Sequence, residues 1–300
     1  MNLNLTQLKK KLEVRFRKQI DKATYILLSP YRILKIICFW VGFTTIMILL
    51  GLTTYIHGIY QSIPDLTKIT FPQLKEMAQE SVQRKLENPR GREMANWTEL
   101  NDVHRDFVYS IVMSEDSTFF EHDGFDYDAI MTSLIEDLSK KKFEYGASTI
   151  SQQVVKNLFL TNEKALVRKL KEVIITQKLE RTFKKNQILE VYLNIAEFGP
   201  DLFGVREASD RIFAKSPSEI NAAEGAFMAL MLPSPRKNYY AMVQNQNLAP
   251  PKRRKIRRIL GDMLVSEFIS PKQYKTYTNY DYFTHPRNRS IAGHRSKTHK

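Results

Sequence analysis

From Ile36 to Ile56 the chain runs for 21 residues without a charged side chain, IICFWVGFTTIMILLGLTTYI. As a helix rising 1.5 Å per residue, this run spans roughly 31 Å, the hydrocarbon thickness of a bilayer. A cleaved leader would carry a shorter apolar run closer to Met1. A core helix of the same length would show a polar face. The segment 36–56 therefore reads as a single transmembrane helix. Nine Lys/Arg precede it, among them Lys9, Lys10, Lys11, Arg15, Arg17 and Lys18, and only Lys68 and Lys75 fall in the twenty residues after it. The positive-inside rule places 1–35 in the cytoplasm and everything after Ile56 outside. Within that basic segment Leu5, Leu8, Leu12, Phe16 and Ile20 are spaced for an amphipathic helix lying on a membrane surface.

The formal net charge is +14. Residues 1–35 supply +7 and residues 251–300 supply +10, so the middle carries −3. Basicity confined to the ends excludes a nucleic-acid-binding core, while leaving basic tails that can touch anionic lipid or polymer. The single cysteine, Cys38, forbids an intrachain disulfide and a cysteine-based zinc site. The six histidines are scattered and none has the HExxH spacing, so no metal site is predicted.

After the apolar run, 57–96 reads as a polar, membrane-proximal spacer with a loop at Asn88-Pro89-Arg90-Gly91. The body is 97–281, and 282–300 is a basic tail predicted to be disordered. In the body apolar residues recur at three- and four-residue spacing and strand-like alternation is scarce, so the fold is mostly α. Ser216-Pro217-Ser218-Glu219 has the pattern of a helix start, and Asn221 with Glu224 offers a second. A helix through Phe227 and Leu230 then stops at Pro233-Ser234-Pro235.

Three constellations could carry chemistry. In Ser114–Gly124, Glu115, Phe119 and His122 fall at i, i+4 and i+7, one face if the segment is helical. A carboxyl beside apolar surface has its charged form disfavoured and becomes suited to proton transfer. The other reading is a solvated acidic helix end. In Gly146–Asn157, Thr149 and Gln152 have capping-box spacing. Ser148, Thr149, Gln152, Gln153 and Lys156 there form a stripe of donors for sugar hydroxyls or phosphate oxygens, or an ordinary exposed face. Around Arg168–Glu172, within a stretch of nine Lys/Arg and three acids (156–185), Lys156, Lys164, Arg168, Lys169 and Lys171 could together stabilise a departing pyrophosphate. Glu172 is a second carboxylate there, and the alternative is a solvated helix face. Ser234-Pro235-Arg236-Lys237 matches S-x-x-K, but a proline inside a motif that needs a helix marks it as chance.

Taken in order, these segments resemble the peptidoglycan glycosyltransferases of glycosyltransferase family 51. The motif E-D-x-x-F-x-x-H-x-G is complete in Glu115–Gly124, G-x-S-T-[IL]-[ST]-Q-Q-x-x-K-N in Gly146–Asn157, and R-K-x-x-E in Arg168–Glu172. The fourth is Ile188–Asn194 with the following Ala196–Gly199 and Phe203-Gly204, and the fifth is the Ala/Leu-rich helix ending at Pro235. The resemblance covers roughly 97–273 and leaves no room for a transpeptidase domain. It implies a lysozyme-like, mostly α glycosyltransferase domain behind one transmembrane helix, on the periplasmic face of a bacterial cytoplasmic membrane. The implied substrates are lipid II and lipid-linked nascent glycan, joined in β-1,4 linkage with inversion and loss of undecaprenyl pyrophosphate. Other cell-wall synthesis proteins are implied as partners, and nucleic acid is not.

By matching positions, the resemblance makes Glu115 the general base and Glu172 an assisting carboxylate at the donor. Asp116, Phe119, His122, Ser148, Thr149, Gln152, Gln153, Lys156, Lys164, Arg168 and Lys171 would build and line the site. Glu190, Tyr192 and Asn194 would hold the fold. No cofactor is required, although Mg²⁺ or Mn²⁺ could ride on the substrate pyrophosphate. The competing readings are a lysozyme-like enzyme that cleaves glycan and a membrane-anchored cell-wall scaffold with a degenerate site.

Overall fold

The computed structural model describes residues 5–28, 30–86, 97–140, 148–160 and 165–283. The loop expected at Asn88–Gly91, the motif residues Gly146 and Ala147, Lys164 and the tail from 284 onward lie outside the described residues. The chain divides into two compact units, Met1–Ser62 and Ile63–Lys300.

The first unit consists of α1 (Leu5–Leu28) and α2 (Pro30–Gln61). Pro30 opens α2 where its missing N–H costs no helical bond. Helix α2 contains all of 36–56 and extends it at both ends. It is long and apolar enough to cross a bilayer, with a mean hydropathy of 2.3 over its most apolar stretch. Its threonine hydroxyls are satisfied within the helix: Thr44 donates to the Trp40 carbonyl at 2.8 Å and Thr45 to that of Val41 at 2.7 Å. Such internal pairing is what a polar group in hydrocarbon needs.

The second unit is helical, as expected. Its elements are α3 (Phe71–Lys85), α4 (Arg105–Glu115), α5 (Tyr127–Lys140), α6 (Ile150–Phe159), α7 (Ala165–Thr182) and α8 (Lys185–Ile195). An antiparallel pair follows, β1 (Glu197–Gly199) and β2 (Leu202–Phe203), which apolar spacing gave no sign of. Then come α9 (Val205–Phe213), α10 (Ala222–Ala229), α11 (Pro235–Tyr239), α12 (Pro250–Val265) and α13 (Pro271–Tyr277).

At the centre α4 packs on α10. Phe107 and Ile111 of α4 are wholly buried, as are Ala222, Ala223 and Ala226 of α10. The approach is closest at Gly225, where an added Cβ would lie 2.8 Å from Ser110 Oγ and 3.1 Å from the Phe107 backbone. Ser110 seals the contact by donating to the carbonyls of Asp106 (2.7 Å) and Ala222 (3.1 Å). This packing matters for function because α4 ends at Glu115.

Four expectations are corrected. The stretch 57–96 is not a spacer throughout: Leu66, Leu74 and Ala78 are fully buried, and α3 belongs to the body of the fold. Its polar residues hid this, since only one stripe faces inward. The body also runs past 281, because Tyr282 is buried and its ring stacks 5.0 Å from that of Phe227. Ser216–Glu219 caps only a single 3-10 turn, and the helix proper starts at Asn221, whose side chain accepts from Glu224 N at 3.0 Å. Finally, Glu115, Phe119 and His122 do not share a helix face. Helix α4 stops at Glu115, and the chain from Asp116 turns back on itself.

Candidate active site

The turn after α4 is organised around Asp116. Its Oδ2 accepts from Ile150 N at the start of α6 (2.9 Å), and its Oδ1 takes a hydrogen bond from His122 Nε2 (2.9 Å). Gly124 N donates to His122 Nδ1 at 3.1 Å, so the ring proton sits on Nε2 and points at the carboxylate. Gly124 has φ +95°, and a Cβ there would meet Thr176 Cγ2 at 2.8 Å. Phe119 is fully buried, edge-on to His122 and beneath the Lys185 ammonium. Phe119 and His122 thus brace the turn from behind, while Asp116 also borders open space.

Helix α6 splits its polar residues between two sides. The Thr149–Gln152 capping box forms as its spacing predicts, and Thr149 Oγ1 also donates to the Gly124 carbonyl at 2.8 Å. Both residues are buried, so they do not belong to an exposed donor stripe. Gln152 turns inward and donates to Glu172 Oε1 at 3.1 Å, and Lys169 pairs with the same oxygen at 2.5 Å. Gln153 turns the other way and donates through Nε2 to Glu115 Oε2 at 3.1 Å. The two carboxylates therefore hang on neighbouring glutamines of one helix. Behind Gln153 lies the buried Tyr192 hydroxyl, which donates to its Oε1 at 3.4 Å. A buried hydroxyl that only accepted there would strand its own proton, so the geometry holds the amide nitrogen toward Glu115.

Glu115 opens on a cleft of about 850 Å³ lined also by Ser114, Ser148, Gln153, Lys156, Arg254, Lys255 and Arg258. A second cavity of about 430 Å³ continues past Asp116, Thr149 and Asp262, again with Glu115, Ser148 and Arg258 on its wall. Burial pushes the Glu115 carboxyl above the usual carboxylate range, and neighbouring Asp116 adds to this. The Gln153 hydrogen bond and the Lys255 charge pull the other way. Burial pushes the Lys255 ammonium down, opposed by Glu115 and helped by Arg258. A poised carboxyl facing three cations of α12 and Lys156 of α6 can accept a proton beside a stabilised polyanion.

The Arg168–Glu172 motif lies elsewhere. Glu172 is buried beneath Gln152, Arg168 is exposed on α7, and neither Arg168 nor Lys171 lines the Glu115 cleft. Lys169 does line a third, more apolar cavity with Phe125, Tyr127, Ile130, Val173 and Ser148, which makes Ser148 common to all three. Arg254, Lys255 and Arg258 were missed as site residues because they read as part of a basic C-terminal end. The available signal was Arg254 and Arg258 four residues apart, one helix face. Glu190 and Asn194 tie α8 to the segment before α4. Glu190 takes Trp97 Nε1 (2.8 Å), Leu100 N (3.0 Å) and Lys75 (2.9 Å), and Asn194 exchanges bonds with the Thr98 backbone at 2.9 and 2.8 Å. Among the described residues no group of His, Cys, Asp and Glu is arranged to cage a metal ion.

The family model described as Transglycosylase matches residues 80–264, a span that holds every side chain of the Glu115 cleft. The biosynthetic peptidoglycan transglycosylase of Acinetobacter baumannii is 36% identical over 171 residues, covering 57% of this chain and 75% of that protein. The protein of the same description from Nitrosospira multiformis is 40% identical over 167 residues, covering 56% and 70%. That from Herminiimonas arsenicoxydans is 32% identical over 209 residues, covering 68% and 87%. With the motifs, the cleft and these matches in agreement, the chain belongs to the transglycosylase family.

Proposed function

We propose that the protein is a membrane-anchored peptidoglycan glycosyltransferase that polymerises lipid II into β-1,4-linked glycan and releases undecaprenyl pyrophosphate. The observation that carries the reading is one buried-edge carboxyl, Glu115, in a cleft with cations on two walls. Joining two lipid-linked sugars brings two pyrophosphates to one base, one that leaves and one that stays on the acceptor. Lys156 on one wall and Arg254, Lys255 and Arg258 on the other supply charge for both.

In the reaction, the Glu115 carboxylate takes the proton from the acceptor 4-hydroxyl as that oxygen attacks the donor anomeric carbon. The bond from that carbon to the pyrophosphate oxygen breaks, and its electron pair leaves with the pyrophosphate, whose growing charge the cations stabilise. Attack opposite the leaving group inverts the centre. Gln153 holds Glu115, the Asp116–His122–Gly124 turn fixes the end of α4, and Glu172 with Lys169 borders the donor side through Gln152. A divalent cation, if one takes part, would ride on the substrate pyrophosphate, as Mg²⁺ commonly does.

Anchoring suits such a substrate. Lipid II stays in the bilayer, and an enzyme tethered by α2 searches a plane instead of a volume. Exposed Tyr127, Met131 and Ile135 on α5 and Leu166 and Leu170 on α7 favour a body that works against lipid. We assign the N-terminus to the cytoplasm and the body to the outer face from the lysine and arginine asymmetry about α2. Incubating the purified full chain with lipid II, and separately with preformed glycan strands, tests the reading. Longer chains from the first support it. Shortened strands from the second, with no polymer from the first, would assign a lytic enzyme instead.

A further inference from the structure

The family match starts at residue 80 and leaves α1 without a role. This helix has 24 residues, about 36 Å at 1.5 Å per residue. Leu8, Leu12, Phe16 and Ile20 are spaced four apart and are exposed at 48, 60, 68 and 51%. At 100° per residue they form one stripe. Arg15, Lys22, Lys11 and Lys18 follow one another along one side of the stripe; on the other Glu13 borders it, with Arg17 and Lys10 beyond. Seven Lys/Arg against Glu13 and Asp21 give the helix a net +5.

Three features identify what covers the stripe. Lys9 projects into it, and a lysine there is tolerated where its ammonium can snorkel to a headgroup. A second copy of α1 would instead bring another +5 against it. In addition, Leu28 is one residue from the start of α2. With α2 crossing the bilayer, as the functional reading has it, the C-terminal end of α1 lies within about a Debye length (~8 Å) of the surface. Basic side chains bordering an apolar stripe, tied to a bilayer, match an anionic lipid surface.

We propose that α1 lies in the plane of the leaflet that α2 enters from the cytoplasm, its apolar stripe among the acyl chains and its basic flanks on anionic headgroups. The anchor of this enzyme then consists of a spanning helix plus a lipid-charge reader.

The test uses the full chain with Cys38→Ser, reconstituted in phosphatidylcholine vesicles with or without phosphatidylglycerol. Single nitroxide labels are placed through Leu12→Cys on the stripe, Val14→Cys on the opposite face, or Thr45→Cys within α2. Collision with a water-soluble nickel chelate is then compared with collision with oxygen. With phosphatidylglycerol, the label at 12 should be shielded from nickel severalfold relative to that at 14. The shielding should vanish without the anionic lipid and in high salt. A label at 12 as open as that at 14, or equally shielded in both lipids, overturns the proposal while leaving α2 as an anchor. An aqueous label at 45 overturns the anchor itself and the proposal with it.

Discussion

Replacing Glu115 by Gln isolates its charge from its shape. The amide fills the same volume at the end of α4, and its oxygen can still accept from Gln153 Nε2, now 3.1 Å from Glu115 Oε2. What disappears is the basic oxygen and the negative charge facing Lys255. Loss of a general base costs about 10²–10⁴-fold in turnover, or about 3–5 kcal/mol of transition-state stabilisation. Stability should move the other way. The folded carboxyl has a raised pKa, so the native state binds that proton more tightly than the unfolded chain. The stability this gives is present below the unfolded pKa near 4.5 and is lost as pH rises through the folded value. At neutral pH the ionised side chain is a burden that the neutral amide removes. Polymerisation should therefore collapse in Glu115→Gln while the thermal midpoint at neutral pH holds or rises. In the wild type the acid limb of kcat/KM should lie above pH 4.5. Near-normal turnover in the variant, or loss of activity matched by loss of folding, would refute the assigned role.

Lys255→Ala removes a cation facing Glu115, so the acid limb should move to higher pH. Activity should also fall about 10–100-fold, the scale of one charge-assisted hydrogen bond, with partial recovery in Lys255→Arg. In Tyr192→Phe the Gln153 amide loses the hydroxyl that orients it, so less of it donates to the Glu115 carboxylate. The acid limb should again rise with little change in thermal midpoint, and an unchanged profile would deny Tyr192 a part in positioning. Glu190→Ala strands the Trp97 and Leu100 donors and leaves the Lys75 ammonium with Glu99 alone. It should cost about 2–5 kcal/mol in denaturant unfolding, about 1–3 for each stranded donor, and a neutral result would contradict its part in joining these segments.

The helical class, the apolar helix and the α6 capping box were legible because each rests on local spacing. That Glu115 and Gln153 belong to one site was an implication of the resemblance alone, and the hydrogen bond between them was not foreseen. Three things were not legible. The inward stripe of α3 is narrow, with Leu74 and Ala78 buried amid polar neighbours, so composition described it as a linker. The segment after Glu115 has helical spacing but turns, because Asp116 is captured by Ile150 N, far along the chain, and by His122 from across the turn. The cations opposite Glu115 come from α12, some 140 residues on, and only the packing of α12 beside α4 and α10 brings them there. Chemistry at the site is thus assembled by the α4–α10 core and then closed from behind, an arrangement spacing alone does not encode.

In the proposed function, one displacement joins each sugar and frees one polyprenyl pyrophosphate. Counting the pyrophosphate released and the new glycosidic links formed from lipid II, with the anomeric configuration of each link read by NMR, tests it most directly. One pyrophosphate per link, every link β, and both counts lost together in Glu115→Gln are the expected results. Pyrophosphate release without matching links, or links of retained configuration, would contradict it.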